Sequence, residues 1–434
     1  MFIDEISRKL HDFYELGLPP LVEREGVLHH AERTVSTLIG ARRAGKSFRA
    51  CQWGHECLAK KTIKSPRHIC FVDFDNPILS QMQAKDLNLI QDTFLKINPD
   101  CGLKTRLLFI FDEIHKISGW ENYVISLSQN PYWQVMVTGS SSKLLRENIA
   151  TELRGKAIST NIYPLSFREF LKFHNVDPKN RSTKACAAIQ RLFDAYLNTG
   201  SYPALALLNE HSKTAMLREY FDTMILKDII QRHDVSRPSH CLMLYHYLLS
   251  LMGKNHTIQS AYDFLKQQGL PTSKKAVKDY IAWAEDAWFL FTTPLFSDSR
   301  KEQERNYKKI YCIDWALAMQ NSSVWDGSLS HALENMVYLH LARRYPRVNY
   351  YLTRQKRQEV DFIITGQRGK PEMAVQACLK IDAPSTLKRE IEPLTSTAAY
   401  FKIKNNFVVT LYHEESITEN GVRIHIIPAW RWLL

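Results

Sequence analysis

The chain has 434 residues, 45% of them hydrophobic, which is more than one core organises and points to two or three domains. Its 57 Lys and Arg against 45 Asp and Glu give a net charge of +12, so a polyanion is a natural partner beside the plainer reading of a solubilising surface. No two of the eight cysteines stand at the spacing of a zinc or redox motif, and they are read as reduced thiols of a cytoplasmic protein. Met1 to Leu10 carries Asp4, Glu5, Arg8 and Lys9, unlike a signal peptide. The apolar stretch Cys241 to Met252 is interrupted by His246 and Ser250 and is too short for a bilayer, so no membrane partner is expected.

In chain order, the first half alternates apolar β-rich runs with helical patterns. The runs are Thr34 to Ile39, His68 to Phe74, Arg106 to Phe111, Gln134 to Val137 and Ile158 to Tyr163. Continuous apolar strands with helices between them predict an α/β fold with a parallel sheet covered on both faces. The first strand leads into Gly40-Ala41-Arg42-Arg43-Ala44-Gly45-Lys46-Ser47, followed by Phe48, which fits the P-loop pattern G-x-x-x-x-G-K-[ST]. Glycines let backbone N–H groups curl around phosphates, Lys46 supplies a cation to the β and γ groups of ATP, and Ser47 ligates Mg²⁺. The third strand ends in Asp112-Glu113, at the sheet edge where open α/β folds bind ligands. Asp112 is expected to hold Mg²⁺ through water and Glu113 to polarise the attacking water. After the fourth strand, Thr138 or Ser140 is the candidate γ-phosphate sensor, and the sequence does not choose between them.

From Ser166 to about Asp234 the apolar spacing becomes helical, and Ser236 to Ser239 reads as a linker. Ser260 to Gln268, a turn at Gly269 to Thr272 and a helix from Ser273 to Phe289 suit a winged helix-turn-helix. The second helix opens with Lys274, Lys275 and Lys278, and the hairpin after it holds Arg300, Lys301, Arg305, Lys308 and Lys309 against Glu302 and Glu304. Together they form a basic footprint for double-stranded DNA, with a protein-binding winged helix as the alternative.

The loop, the acidic strand end and the turn from Thr138 to Ser142 resemble the bacterial and archaeal AAA-type ATPases that carry a C-terminal domain of unknown function. The likeness continues through Leu153-Arg154-Gly155-Lys156, Tyr163 to Phe170, Gly200 to Pro203, Lys227 to Ile230, Lys309 to Asp314 and Leu333-Glu334-Asn335. It implies that Arg154 is an arginine finger, with Arg146 as rival, acting on a neighbour's γ-phosphate in a homo-oligomer. It also implies a restriction-endonuclease-like last domain, whose active members use a helix Glu, a strand Asp and a Glu-x-Lys. Glu334 and Asp361 match, whereas Gln376 and Cys378 stand where the second acid and the lysine belong. An amide and a thiol are poor substitutes in a Mg²⁺ site, so a degenerate, non-cleaving domain is expected, with Lys380 or Glu359 as possible rescuers.

The expected architecture is therefore a P-loop AAA-type ATPase core with an N-terminal extension (1–165), a helical lid (166–235), a winged helix (236–315) and a restriction-endonuclease-like α/β domain (316–434). The expected activity is Mg²⁺-dependent ATP hydrolysis coupled to DNA binding. A protein-remodelling or signalling ATPase and an ATP-regulated nuclease are the alternatives.

Overall fold

Runs in which nearly every side chain is apolar are stable only when both faces of their sheet are covered, and the first five strands form a sheet whose central members are buried in this way while its polar last strand is not. In the computed structural model, which describes residues 1–140, 155–322, 329–366 and 369–434, they are β1 (Val35–Ile39), β2 (Ile69–Asp73), β3 (Leu107–Asp112), β4 (Trp133–Gly139) and β5 (Ala157–Asn161). All pair in parallel, in the order β2-β3-β4-β1-β5. Every residue of β1 and β3 is buried. Helices α1 (Phe2–Leu16), α2 (Lys46–Ala59), α3 (Asn88–Ile97) and α4 (Glu121–Ser128) accompany the sheet. The N-terminal extension before Thr34 holds α1, which buries Ile6 and Leu10. Because β1 and β3 flank β4, the loop after β1, the acids after β3 and the polar end of β4 emerge side by side at one edge.

The chain divides into two compact units, Met1–Tyr163 with Asp286–Trp288, and Pro164–Glu285 with Phe289–Leu434. The second opens with a capping box: Ser166 accepts from the backbone of Glu169 while Glu169 accepts from that of Ser166, starting α5 (Phe167–Phe173). Helices α6 (Thr183–Thr199) and α7 (Glu210–Thr223) follow, the latter running on into a π-helical stretch, Met224–Gln231. Pro238 opens α8 (Pro238–Ser250), so the linker expected at Ser236 to Ser239 is partly helix; proline suits a first turn, where its missing N–H costs nothing. Then come β6 (Asn255–His256), α9 (Ile258–Gln267), α10 (Lys274–Asp286), β7 (Leu290–Thr293), the short α11 (Arg300–Arg305) and β8 (Lys308–Cys312). β8 lies between β6 and β7 and is antiparallel to both.

Beyond α12 (Trp315–Asn321) and α13 (Leu329–Ala342) lie β9 (Val348–Leu352), β10 (Glu359–Thr365), β11 (Pro371–Ala377), α14 (Pro384–Phe401), β12 (Asn405–Thr410), β13 (Glu415–Glu419), β14 (Val422–Pro428) and α15 (Ala429–Trp432). The six strands form a mixed sheet, β13-β14-β12-β11-β10-β9, in which β11, β12 and β14 run parallel. Val360, Ile363, Val408, Ile424 and Ile426 of the strands pack with Leu394 of α14.

The short motifs between these elements are where the chain ties itself together. Asp314 caps α12 by accepting from the Leu317 N–H at 2.9 Å, and its other oxygen accepts from the backbone and hydroxyl of Ser201 at 2.5 and 2.6 Å. Asn335 exchanges both its amide bonds with the backbone of Cys312, at 2.7 and 2.9 Å. Among the described residues no helix is long and apolar enough to cross a membrane. Gly200 has φ +83°, and a Cβ there would lie 2.5 Å from Oδ1 of Asp314. Gly200→Ala is therefore expected to cost roughly 2–4 kcal/mol in chemical denaturation, from backbone strain and a broken buried cap.

Candidate functional site

The loop after β1 is shaped by two glycines. A Cβ on Gly40 would sit 2.0 Å from the carbonyl oxygen of Ile162, so only glycine allows this approach of two backbones. Gly45 has φ +98° and forms the cap of α2, turning the chain so that the helix N-terminus faces the loop. Arg43 also takes a left-handed conformation, at φ +64°. Behind the loop, buried Arg24 donates to the carbonyls of Ala44 at 2.8 Å and Tyr163 at 2.7 Å, while its backbone exchanges hydrogen bonds with Gln52 of α2. Arg24 precedes β1 in an irregular segment, and no sequence pattern marks it as a brace.

Lys46 is 4% exposed, and its ammonium donates to the carbonyls of Gly40 at 3.2 Å and Ala41 at 3.1 Å while pairing with Oε1 of Glu113 at 3.3 Å. Burial opposes the ionisation of Glu113, but Lys46, His115 and Arg42 outweigh it and hold its carboxyl down at about 2. Glu113 is thus ionised across the physiological range, as a group that polarises water must be. Asp112 is pushed up to about 6 by burial, against the hydrogen bonds of Ser47 and Thr138. A bivalent cation would relieve that burial penalty, and Ser47 and Asp112, already bonded to each other, are the donor pair it would use. The glycine cradle and this hard oxygen pair fit ATP and Mg²⁺.

Thr138 and Ser140, the two candidate sensors, are both buried at the end of β4. The Thr138 hydroxyl donates to Oδ1 of Asp112 and accepts the Glu113 N–H at 3.0 Å. Ser140 is buried just beyond it. His115 lies 3.3 Å from Oε2 of Glu113, and Phe48 is exposed on the first turn of α2. Arg154 and Arg146 lie outside the described residues, as do Ser141 and Ser142.

Of the basic residues expected at a nucleic acid, Lys274, Lys275, Lys278, Arg300, Lys301, Arg305 and Lys308 are exposed. Lys309 is a correction. It is 1% exposed, because side chains alternate along β8 and its own points inward. There its ammonium meets Glu334 at 2.6 Å, Glu359 at 2.8 Å and Asp361 at 3.1 Å. The two expected acids are therefore brought together, but around a lysine that the sequence reading had placed at a nucleic acid. Gln376 takes no cationic role: its oxygen accepts the Asp361 N–H at 2.9 Å and its amide donates to Glu390 of α14 at 2.8 Å. The Cys378 thiol, pushed up to about 11 by burial, donates to the carbonyl of Lys380.

Comparison with known proteins agrees with this geometry over the first unit. Residues 32–171 match the model of the AAA domain. That stretch is an AAA-type P-loop domain. Residues 190–325 match a domain of unknown function, DUF8612. The chain is 29% identical over 416 residues to uncharacterized protein MJ1544 of Methanocaldococcus jannaschii, covering 92% of this chain and 88% of the relative. It is 24% identical to an uncharacterized protein of Haemophilus influenzae, covering 91% and 94%. Among solved structures, the Walker-type ATPase PABY2304 of Pyrococcus abyssi matches 73% of this chain and 94% of its own at 14% identity and a TM-score of 0.43.

The raised carboxyl of Asp112 gives the AAA domain a pH signature. Its folded value of about 6 exceeds the ordinary 3.8, so the folded protein holds an extra proton between those values. Relative to Asp112→Asn, the wild type is expected to gain roughly 2–3 kcal/mol as pH falls from 7.5 through 6 toward 4, and to lose it on return. Urea unfolding of both proteins across that range, compared as a difference, checks the sign and the midpoint.

Proposed function

We propose that this protein is a Mg²⁺-dependent ATPase that couples nucleotide hydrolysis to the binding of double-stranded DNA. The observation that carries the first half is the buried contact of Lys46 with Glu113 beside an Asp112 already bonded to Ser47 and Thr138. When Mg²⁺-ATP is bound, the metal supplies charge neutralisation for the phosphates; the protein's own groups position it. Ser47 and Asp112 would hold the metal, Lys46 would meet the phosphates, and Glu113 would accept a hydrogen bond from the attacking water. Thr138 fixes both acids at once, because its single hydroxyl joins the Asp112 carboxylate to the Glu113 backbone. Arg154, in the position that the family resemblance gives to an arginine finger, would complete the site from a neighbouring subunit, which makes the working form a homo-oligomer.

The second half rests on the order α8, β6, α9, α10, β7, β8, with β8 between β6 and β7, which is the order of a winged helix. Its recognition helix α10 begins with exposed Lys274, Lys275 and Lys278, and its hairpin carries exposed Arg300, Lys301, Arg305 and Lys308. Cations on the helix and on the wing would track phosphates on either side of a groove. The six-stranded sheet and α13 are read as a restriction-endonuclease-like frame that does not cleave.

Lys46→Ala and Glu113→Gln are each expected to lower the steady-state ATPase rate at least ~100-fold, with Glu113→Gln still binding nucleotide. A variant that hydrolyses at the wild-type rate refutes the assigned role. For DNA, affinity should fall steeply with salt, and the Lys274, Lys275 and Lys278 triple alanine should reduce the log–log salt slope by about 2–3. Absence of any duplex binding at low salt, with or without ATP, gives the winged helix to a protein partner instead.

A further inference from the structure

A catalytic frame of the nuclease-like kind needs its carboxylates spread around a small bivalent cation, with oxygens about 2.1 Å from magnesium. The second unit spreads them differently. Lys309 projects from β8 into the angle between α13 and β10, where its three N–H bonds match three carboxylates: Glu334 at 2.6 Å, Glu359 at 2.8 Å and Asp361 at 3.1 Å. These are ammonium-to-oxygen distances.

Further hydrogen bonds tie oxygens of the cluster to the protein itself. Tyr311, two residues along β8 on the same face, donates to the same Glu334 oxygen at 2.8 Å. The second oxygen of Asp361 accepts the Ala377 N–H at 2.9 Å, and the second oxygen of Glu359 accepts from Asn255 at 3.3 Å. Glu390, an acid bonded to Gln376 of β11 at 2.8 Å, also pairs with Arg389 at 2.7 Å. Among the described residues, the ligand atoms that gather within 4.8 Å of one another as a metal would require belong to His68, Asp100 and Cys101, not to this cluster. The acids of the nuclease-like frame therefore do not fit its metal.

We propose that Lys309 is the built-in cation of this site, holding Glu334, Glu359 and Asp361 in place of a bivalent metal and fastening the hairpin strand β8 to the C-terminal sheet as a metal-independent anchor. The loss of the acid and the lysine from β11, seen as Gln376 and Cys378, is then matched by a cation arriving from another strand. A buried ammonium leaves its three carboxylates uncompensated when removed, so the same pocket should become a metal site once the lysine is gone. The hairpin that carries Arg300, Lys301 and Arg305 and the six-stranded sheet would thus respond to a bound partner as one piece.

The test uses full-length, nucleotide-free protein and Mn²⁺ as the probe, with free Mn²⁺ counted by electron paramagnetic resonance and unfolding followed by calorimetry. Wild type and Asp361→Asn are expected to bind the same number of Mn²⁺ ions, and Mn²⁺ should leave the wild-type unfolding of this unit unchanged. Lys309→Met should unfold about 5–10 °C earlier, gain one Mn²⁺ site, and recover most of the lost stability when it is filled. The added site should vanish in Lys309→Met/Asp361→Asn. Loss of a Mn²⁺ site on Asp361→Asn alone overturns the proposal, because the wild-type cluster would then be a metal site. So does a folded Lys309→Met that gains no site and unfolds like wild type. The wild-type comparison decides the matter even where Lys309→Met does not fold, and neither result depends on ATP hydrolysis.

Discussion

An ammonium group removed from water must be met by oxygens that carry negative charge, and two lysines of this chain, Lys46 and Lys309, are removed almost completely. Everything at the two sites is arranged around that requirement. Lys46 has one carboxylate and two loop carbonyls, a loose set with distances of 3.1 to 3.3 Å that phosphates can replace. Lys309 has three carboxylates at 2.6 to 3.1 Å, a tighter set made wholly of charged oxygens. The same chemistry thus gives a ligand-responsive contact in one unit and a fastening in the other.

The charges opposite these lysines are tuned by what surrounds them. Asp112 and Glu113 are adjacent in sequence and both buried, yet one is pushed up to about 6 and the other held at about 2. The difference follows from what surrounds each. Glu113, just past the strand end in a left-handed conformation, has Lys46, His115 and Arg42 around it, while Asp112 has the hydroxyls of Ser47 and Thr138 and the like charges of Glu113 and Asp73. One pair of neighbouring acids therefore supplies a permanently charged group and a group awaiting a cation, which suits the division of labour between water activation and metal holding.

Outside the sites, stability is concentrated in short polar motifs that stitch elements distant in sequence. Asp314 caps one helix and receives Ser201, with Gly200 making room for its carboxylate. Asn335 replaces a strand partner for Cys312. These are fragments of the segments on which the family resemblance rests, and their physical reason is plain: each is a buried backbone group satisfied by one side chain of fixed length.

The sequence by itself determined the five parallel strands, the P-loop, the acidic strand end and the basic start of α10, because each is written in neighbouring residues: apolar runs, glycine spacing, a carboxylate pair, lysines on one helical turn. It stopped where the answer lay across the chain. Thr138 meets both acids only through the pairing of β3 with β4, and Arg24 became a brace only when its irregular segment was laid behind the loop. Helix α1, amphipathic but outside any motif, went unread. The clearest case is Lys309, which sits in a run of basic residues and differs from exposed Lys308 only in the face of β8 it occupies. Charge is a property of the residue, but whether it meets water, phosphate or three carboxylates is set by strand register and by which distant strand lies beneath, and those only the tertiary structure decided.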